Sequence, residues 1–176
     1  MPVARPLPQS ARLRFREYTA ADVPALAEVF ADAYARRFYP NHSQPEKLVA
    51  WIEWSQGNYE KHGFGLWALE LLSSGRFAGD AGLTLQPVDG ELLLEIGYHI
   101  HPDLRGQGLA TEAARACLSW AFEHTAHELV CSIVHPENAA SARVAERIHR
   151  LKRTCQTQSG EALLFYTTRG VWNGET

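Results

Sequence analysis

The chain has 176 residues, a formal net charge of −3, and 45% hydrophobic and 21% charged residues, one domain's worth and enough to bury about 70% of its unfolded surface. Charges of both signs are interspersed and give no electrostatic footprint for nucleic acid, and no apolar run reads as a membrane span or signal peptide. The three cysteines, Cys117, Cys131 and Cys155, lack paired spacing, which favours a reducing compartment and a cytoplasmic location over a disulfide frame.

Met1 to Ala11 carries Pro2, Pro6 and Pro8 without periodicity and reads as a flexible tail ahead of a domain spanning 12–176. Leu13 and Phe15 alternate with Arg14 and Arg16, a half-buried strand. Thr19 and Asp22 offer a cap, and Val23 to Tyr34 is expected as a helix with Pro24 in its first turn. Arg36 to Pro45 is expected to be irregular, and a second helix follows from Pro45 to about Tyr59. Leu66–Leu72 and Arg76–Leu85 read as a hairpin closed by Ser73-Ser74-Gly75, and Val88-Asp89-Gly90 turns into a further strand.

That strand alternates Leu92, Leu94, Ile96, Tyr98 and Ile100, and Pro102 ends it. Arg105-Gly106-Gln107-Gly108-Leu109-Ala110 comes next, followed at once by helix formers. Leu109, Ala113, Cys117 and Trp120 make one stripe, Ala110, Ala114, Leu118 and Phe122 the next, and Glu112, Arg115, Ser119 and Glu123 the wet edge. Glu128–Val134 reads as a buried strand. Asn138 caps a last long helix whose stripe is Ala140, Val144, Ile148 and Leu151. Strands near Lys152–Gln156 and over Leu163–Thr168 complete an α/β order with a mixed sheet.

The glycine-bearing loop carries the first chemical signal. The opening turn of a helix leaves N–H groups without partners at the positive end of the macrodipole. Two glycines let an anion approach the backbone, and Arg105 adds a charge, which makes a phosphate or pyrophosphate site. A plain strand-to-helix turn is the other reading. A dinucleotide fingerprint lacks its third glycine at Ala113, and no Gly-Lys-Ser/Thr follows as a Walker loop requires.

Arg-x-x-Gly-x-Ala after a strand ending in a proline turn resembles the acetyl-coenzyme A loop of the GNAT N-acetyltransferases. The flanking Glu95-Ile-Gly-Tyr98, Ala110-Thr-Glu-Ala113 and Asn138-Ala-Ala-Ser141-Ala-Arg143-Val144-Ala-Glu146-Arg147 resemble the RimJ/RimL branch. The resemblance implies a single-domain GNAT-type fold, with a mixed central sheet, helices on both faces, and two parallel strands splayed around the cofactor's pantetheine arm. It implies acetyl-CoA and an amine acceptor as partners and leaves a homodimer open; the histidines show no ligand spacing, so no metal is expected, and the charge and hydropathy patterns speak against nucleic acid and membrane.

Carried over by position, the backbone of Arg105, Gly106, Gln107, Gly108, Leu109 and Ala110 would hold the pyrophosphate. Main-chain groups of His99, Ile100 and His101 would pair with the pantetheine amides, and Asn138 would contact the pantetheine end or simply cap its helix. Glu95 is the first candidate base, on the strand face of Gly97 and His99 unless a bulge at Gly97 changes the parity. His99 is its rival. The tyrosine acid of many GNAT enzymes is replaced by Ala145, and Ser141 is the candidate donor to the leaving thiolate. Ile148-His149-Arg150 stands where the family reads Leu-Gly-Phe, so an unchanged turn would force His149 into left-handed geometry. The acceptor wall would draw on Tyr34, Phe38, Tyr39, Asn41, Trp51 and Trp54. The implied activity is acetyl transfer to a primary amine, a protein N-terminus or a small molecule. A non-catalytic acyl-CoA-binding module is the alternative.

Overall fold

A computed structural model describes residues 5–174. Seven strands form one mixed sheet in the order β1-β2-β3-β4-β5-β7-β6. They are β1 (Leu13–Arg16), β2 (Leu66–Leu71), β3 (Phe77–Val88), β4 (Glu91–Ile100), β5 (Leu129–Val134), β6 (Leu151–Thr157) and β7 (Gly160–Thr168), and all neighbours are antiparallel except β4 and β5. Six helices accompany them: α1 (Val23–Val29), α2 (Ala33–Phe38), α3 (Pro45–His62), α4 (Leu109–His124), α5 (Ala139–Ile148) and the short α6 (Arg169–Trp172).

The alternation of the strands sends side chains to two cores. Leu69, Trp67, Leu83, Leu94 and Ile96 pack under α4, which buries Ala113, Cys117, Trp120 and Ala121 among them. Leu66 and Ala68 pack on the other face under α1 and α3, with Tyr18, Leu26, Phe30, Leu48 and Ile52. Burying nonpolar stripes on both faces fixes the layer order, helix over sheet over helix.

Several expectations change. The helix expected over 23–34 breaks at Phe30, because Asp32 accepts a hydrogen bond from the Ala35 N–H at 3.0 Å and starts α2 as its cap. The segment expected to be irregular is therefore partly helical, α2 followed by a 3-10 turn over Pro40–Ser43. Residues 5–11 are not a loose tail: Pro8 is buried, Leu7 packs on the core, the Trp120 indole donates to the Pro6 carbonyl, and the Ser10 hydroxyl donates to Glu112 at 2.7 Å. Met1–Ala4, the rest of that expected tail, lie outside the described residues. Leu151 opens β6 and is exposed rather than sharing the α5 stripe.

His149 does not adopt left-handed geometry. Its backbone is extended (φ −101°), and its buried ring bridges β5 and β7, with Nε2 3.0 Å from Ser132 Oγ and Nδ1 3.0 Å from Thr167 Oγ1. Burial pushes this imidazole down to about 4, so it sits neutral where a glycine-phenylalanine corner would otherwise pack.

The β3–β4 register runs unbroken from Gly79↔Ile100 to Val88↔Glu91, so Gly97 carries no bulge and Glu95, Gly97 and His99 share one face. Parallel pairing of β4 with β5 covers only Leu94↔Val130 and Glu95↔Cys131. Beyond that point the strands part. Side chains span the fork: Ser132 Oγ donates to the Ile96 carbonyl at 3.3 Å, and the Ile133 N–H donates to Glu95 Oε1 at 3.4 Å.

Candidate functional site

The fork opens into a cavity of about 330 Å³ lined by the loop residues Arg105, Gly106, Gly108, Leu109, Ala110 and Thr111, by Tyr98, His99 and Ile100 of β4, by the α1–α2 region, and by the outer face of α5. At one end lies the start of α4. Gly106 and Gly108 are left-handed (φ +75° and +80°), a conformation that L side chains avoid. A Cβ at Gly106 would meet open space, and one at Gly108 only the Arg12 guanidinium at 3.6 Å. Among the described residues no backbone acceptor pairs with the N–H groups of 106–111; the first to be paired is Glu112, donating to the Gly108 carbonyl. The Thr111 hydroxyl lines the same wall, buried and without a partner. Unpaired N–H groups, an orphaned hydroxyl and empty space above two glycines fit a pyrophosphate, the anion acetyl-CoA carries.

The charge expected from Arg105 is committed elsewhere. Its guanidinium pairs with Asp32, donates to the Ile100 carbonyl at 3.1 Å, and lies 4.7 Å over the Tyr34 ring. Arg105 is thus a strut between the loop and the cap of α2. The cations facing the cavity are instead Arg143 and Arg147 on α5, exposed and without an ion pair among the described residues. In the sequence they stand only as part of the Asn138–Arg147 motif, and their spacing of four puts both on one helix face.

The expected pantetheine contacts also shift. The His101 N–H donates to the Ala78 carbonyl, and antiparallel alternation sends the main-chain groups of His99 the same way, toward β3. Those of Tyr98 and Ile100 face the fork, the Ile100 carbonyl being taken by Arg105. His101, Gln107 and Asn138 do not line the cavity; the Gln107 carbonyl accepts from Arg12. Asn138 Oδ1 accepts from the Ser141 N–H at 3.1 Å and from the Tyr34 hydroxyl at 2.9 Å, a helix cap that also holds the opposite wall.

Two hydroxyls meet on the cofactor side of β4. The Tyr98 hydroxyl donates to the Ser141 carbonyl at 2.8 Å and accepts from Ser141 Oγ at 3.2 Å. Burial raises the Tyr98 phenol far above its ordinary value, so it stays a donor. Tyr98 reads in the sequence as one more apolar position in the alternating strand, and only its polar tip distinguishes it.

On the other face His99 projects among Phe30, Tyr39 and Trp51, with ring centroids 5.2, 4.7 and 5.7 Å away. Nδ1 lies 2.6 Å from Oδ1 of Asp80, its cross-strand partner. Asp80 is fully buried, and Oδ2 accepts from the Tyr18 hydroxyl at 2.8 Å and from the Trp51 indole at 3.1 Å. Glu95 stands lower on the strand and off the cavity lining, its carboxylate near Thr84 Oγ1 at 3.4 Å and the Ile133 N–H. Burial pushes it up to about 7, against the pull of those donors and of His99. Of the expected acceptor wall, Tyr34 and Tyr39 line the cavity, Phe38 packs on Tyr34, Trp51 holds Asp80, and Asn41 and Trp54 are exposed. No group of three or more His, Cys, Asp or Glu among the described residues is placed to hold a metal, and no helix is long and apolar enough to cross a membrane.

The model of the acetyltransferase (GNAT) domain matches residues 12–149. The Bacillus subtilis (strain 168) protein YkkB is 33% identical over 120 residues, 68% of this chain and 70% of its own. An acetyltransferase structure from Agrobacterium tumefaciens str. C58 superposes with a TM-score of 0.79 at 26% identity, covering 95% of this chain and 96% of that one. RimL, the ribosomal L7/L12 α-N-protein acetyltransferase in complex with coenzyme A, gives a TM-score of 0.73 at 18% identity over 92% and 97% of the two chains.

Proposed function

The chain belongs to the GNAT acetyltransferase family, and from that premise we propose that it moves the acetyl group of acetyl-CoA directly to a primary amine, a protein N-terminus or a small molecule. The observation that carries this reading is the continuity of one cavity from the unpaired N–H groups at the start of α4 to His99. Acetyl-CoA supplies the acetyl group as an activated thioester. The N–H groups of 106–111, with Thr111, hold its pyrophosphate, and Arg143 and Arg147 face the same anion from α5. The open edge of Tyr98 and Ile100 receives the pantetheine amides, and the Tyr98–Ser141 hydroxyl pair lies on the side where the sulfur leaves.

The acceptor end is walled by Phe30, Tyr34 and Tyr39, and the cavity lining includes no aspartate or glutamate among the described residues. That favours an amine with one positive charge over a polycation, whose several charges would need carboxylates close by. The test sets CoA binding by calorimetry beside thiol release from acetyl-CoA with peptide N-termini, free amino acids and polyamines. Binding with turnover on a singly charged amine is expected. Binding without turnover on any amine would make the chain an acyl-CoA-binding module.

A further inference from the structure

Resting on that reading, we propose that His99 is the catalytic base that takes the acceptor's proton and that Asp80 is its positioning residue, a histidine–aspartate pair mounted across β3 and β4, with Glu95 outside the reaction. Asp80 is surrounded by donors. The Trp51 indole N–H can only donate, and burial together with Asp80 itself pushes the Tyr18 phenol well up, so its hydroxyl keeps its proton. Both face Oδ2, which leaves Oδ1 to accept from His99 Nδ1 at 2.6 Å. Nδ1 therefore carries the ring proton and Nε2 the lone pair. Among the described residues nothing hydrogen-bonds Nε2, and His99 is one of the residues that line the cavity. Phe30, Tyr39 and Trp51 hold the ring in place and keep water off it, and the buried carboxylate stabilises the imidazolium once it forms.

Position decides between the two candidate bases. Glu95 and His99 share one face of β4, their backbones about 13 Å apart at 3.3 Å per residue; His99 is near enough to pull the Glu95 carboxyl down, but only His99 lines the cavity. His99 adjoins Tyr98, Ile100 and the loop, whereas Glu95 lies where β4 and β5 are still paired. In the step itself the ammonium of the acceptor gives one proton to Nε2, and the freed lone pair forms the bond to the acetyl carbon. The carbon–sulfur bond breaks with its electron pair on sulfur, which takes the nitrogen's second surplus proton, and His99 later returns its proton to solvent.

The pair makes a specific demand on Asp80→Asn. The new amide must keep its oxygen toward the Trp51 and Tyr18 donors, so its NH₂ faces Nδ1 and drives the ring proton to Nε2, removing the base. The experiment is nitrogen-15 NMR of histidine-labelled protein at pH 8 beside thiol-release kinetics. Wild-type His99 is expected as the Nδ1–H tautomer. Asp80→Asn is expected as Nε2–H, with turnover down at least tenfold and CoA affinity within twofold. A wild-type Nε2–H signal overturns the pair, as does Asp80→Asn with undiminished turnover. Should Asp80→Asn fail to fold, the wild-type tautomer decides alone. A wild type that acetylates no amine sinks the enzyme reading, and the tautomer still reports separately on the pair.

Discussion

The two ends of the cavity are built from different parts of the chain. At the cofactor end, the proposed anion site rests on six consecutive residues, 106–111, whose main-chain N–H donors stand beside left-handed glycines, with Thr111 adding its hydroxyl and Arg143 and Arg147 of α5 lining the facing wall. At the acceptor end, the arrangement around His99 assembles residues from positions 18, 30, 39, 51, 80 and 99, brought together by the ends of α1 and α2, by α3 and by the β3–β4 register. The first end depends on local backbone conformation, the second on long-range packing. They should therefore fail in different ways when single residues are changed.

The largest effect outside the histidine–aspartate pair is expected at the cofactor end. Gly108→Val places a β-branched side chain where φ is +80° and where the pyrophosphate approaches. CoA affinity measured by calorimetry should fall at least tenfold, about 1.4 kcal/mol. Unchanged affinity in a folded variant would separate the loop from cofactor binding.

Arg105→Ala sharpens the comparison from the boundary between the two ends. Arg105 sits in the loop but spends its charge on Asp32 and the start of α2. Steady-state kinetics should show the acceptor KM rising about fivefold, in line with roughly 1 kcal/mol for a partly exposed pair, with CoA affinity within twofold of wild type. The opposite split would return Arg105 to the phosphate site.

The smallest effect concerns Glu95. A carboxyl whose folded pKa is raised binds its proton more tightly folded than unfolded, so its contribution to stability is present below its ordinary range and is lost as pH rises toward about 7. Glu95→Gln mimics the protonated form. It should melt a few degrees above wild type at pH 8, on the order of 1–2 kcal/mol, and the gap should narrow to a small fraction by pH 5 and vanish only below the ordinary carboxylate range. Thermal melts at both values check this; a gap that grows toward pH 5 would mean an ionised, well-paired Glu95.

The same contrast explains what was legible in the amino-acid sequence. The order of elements along the chain, the two stripes of α4 and the glycine-bearing loop follow from spacing, because periodicity and glycine geometry act over a few residues. The cap at Asp32 was readable in principle, since an aspartate ahead of Ala-Tyr-Ala is an N-cap signal, but the apolar pattern ran through it. Asp80 was not readable: its meaning depends on lying opposite His99 in the register and beneath Tyr18 and Trp51. The role of Arg105 was hidden for the same reason, because its partner Asp32 lies 73 positions away. His149 illustrates a third case, where one substitution rebuilt a corner around a buried imidazole instead of straining the old turn.

The most direct test of the central claim compares His99→Gln with Glu95→Gln for turnover on one amine, with CoA affinity and melting measured on the same preparations. The account predicts a loss of at least 100-fold for His99→Gln, within the range general base catalysis supplies, a change of less than about threefold for Glu95→Gln, and CoA affinity intact in both. A large loss at Glu95 with His99→Gln near wild type would contradict it.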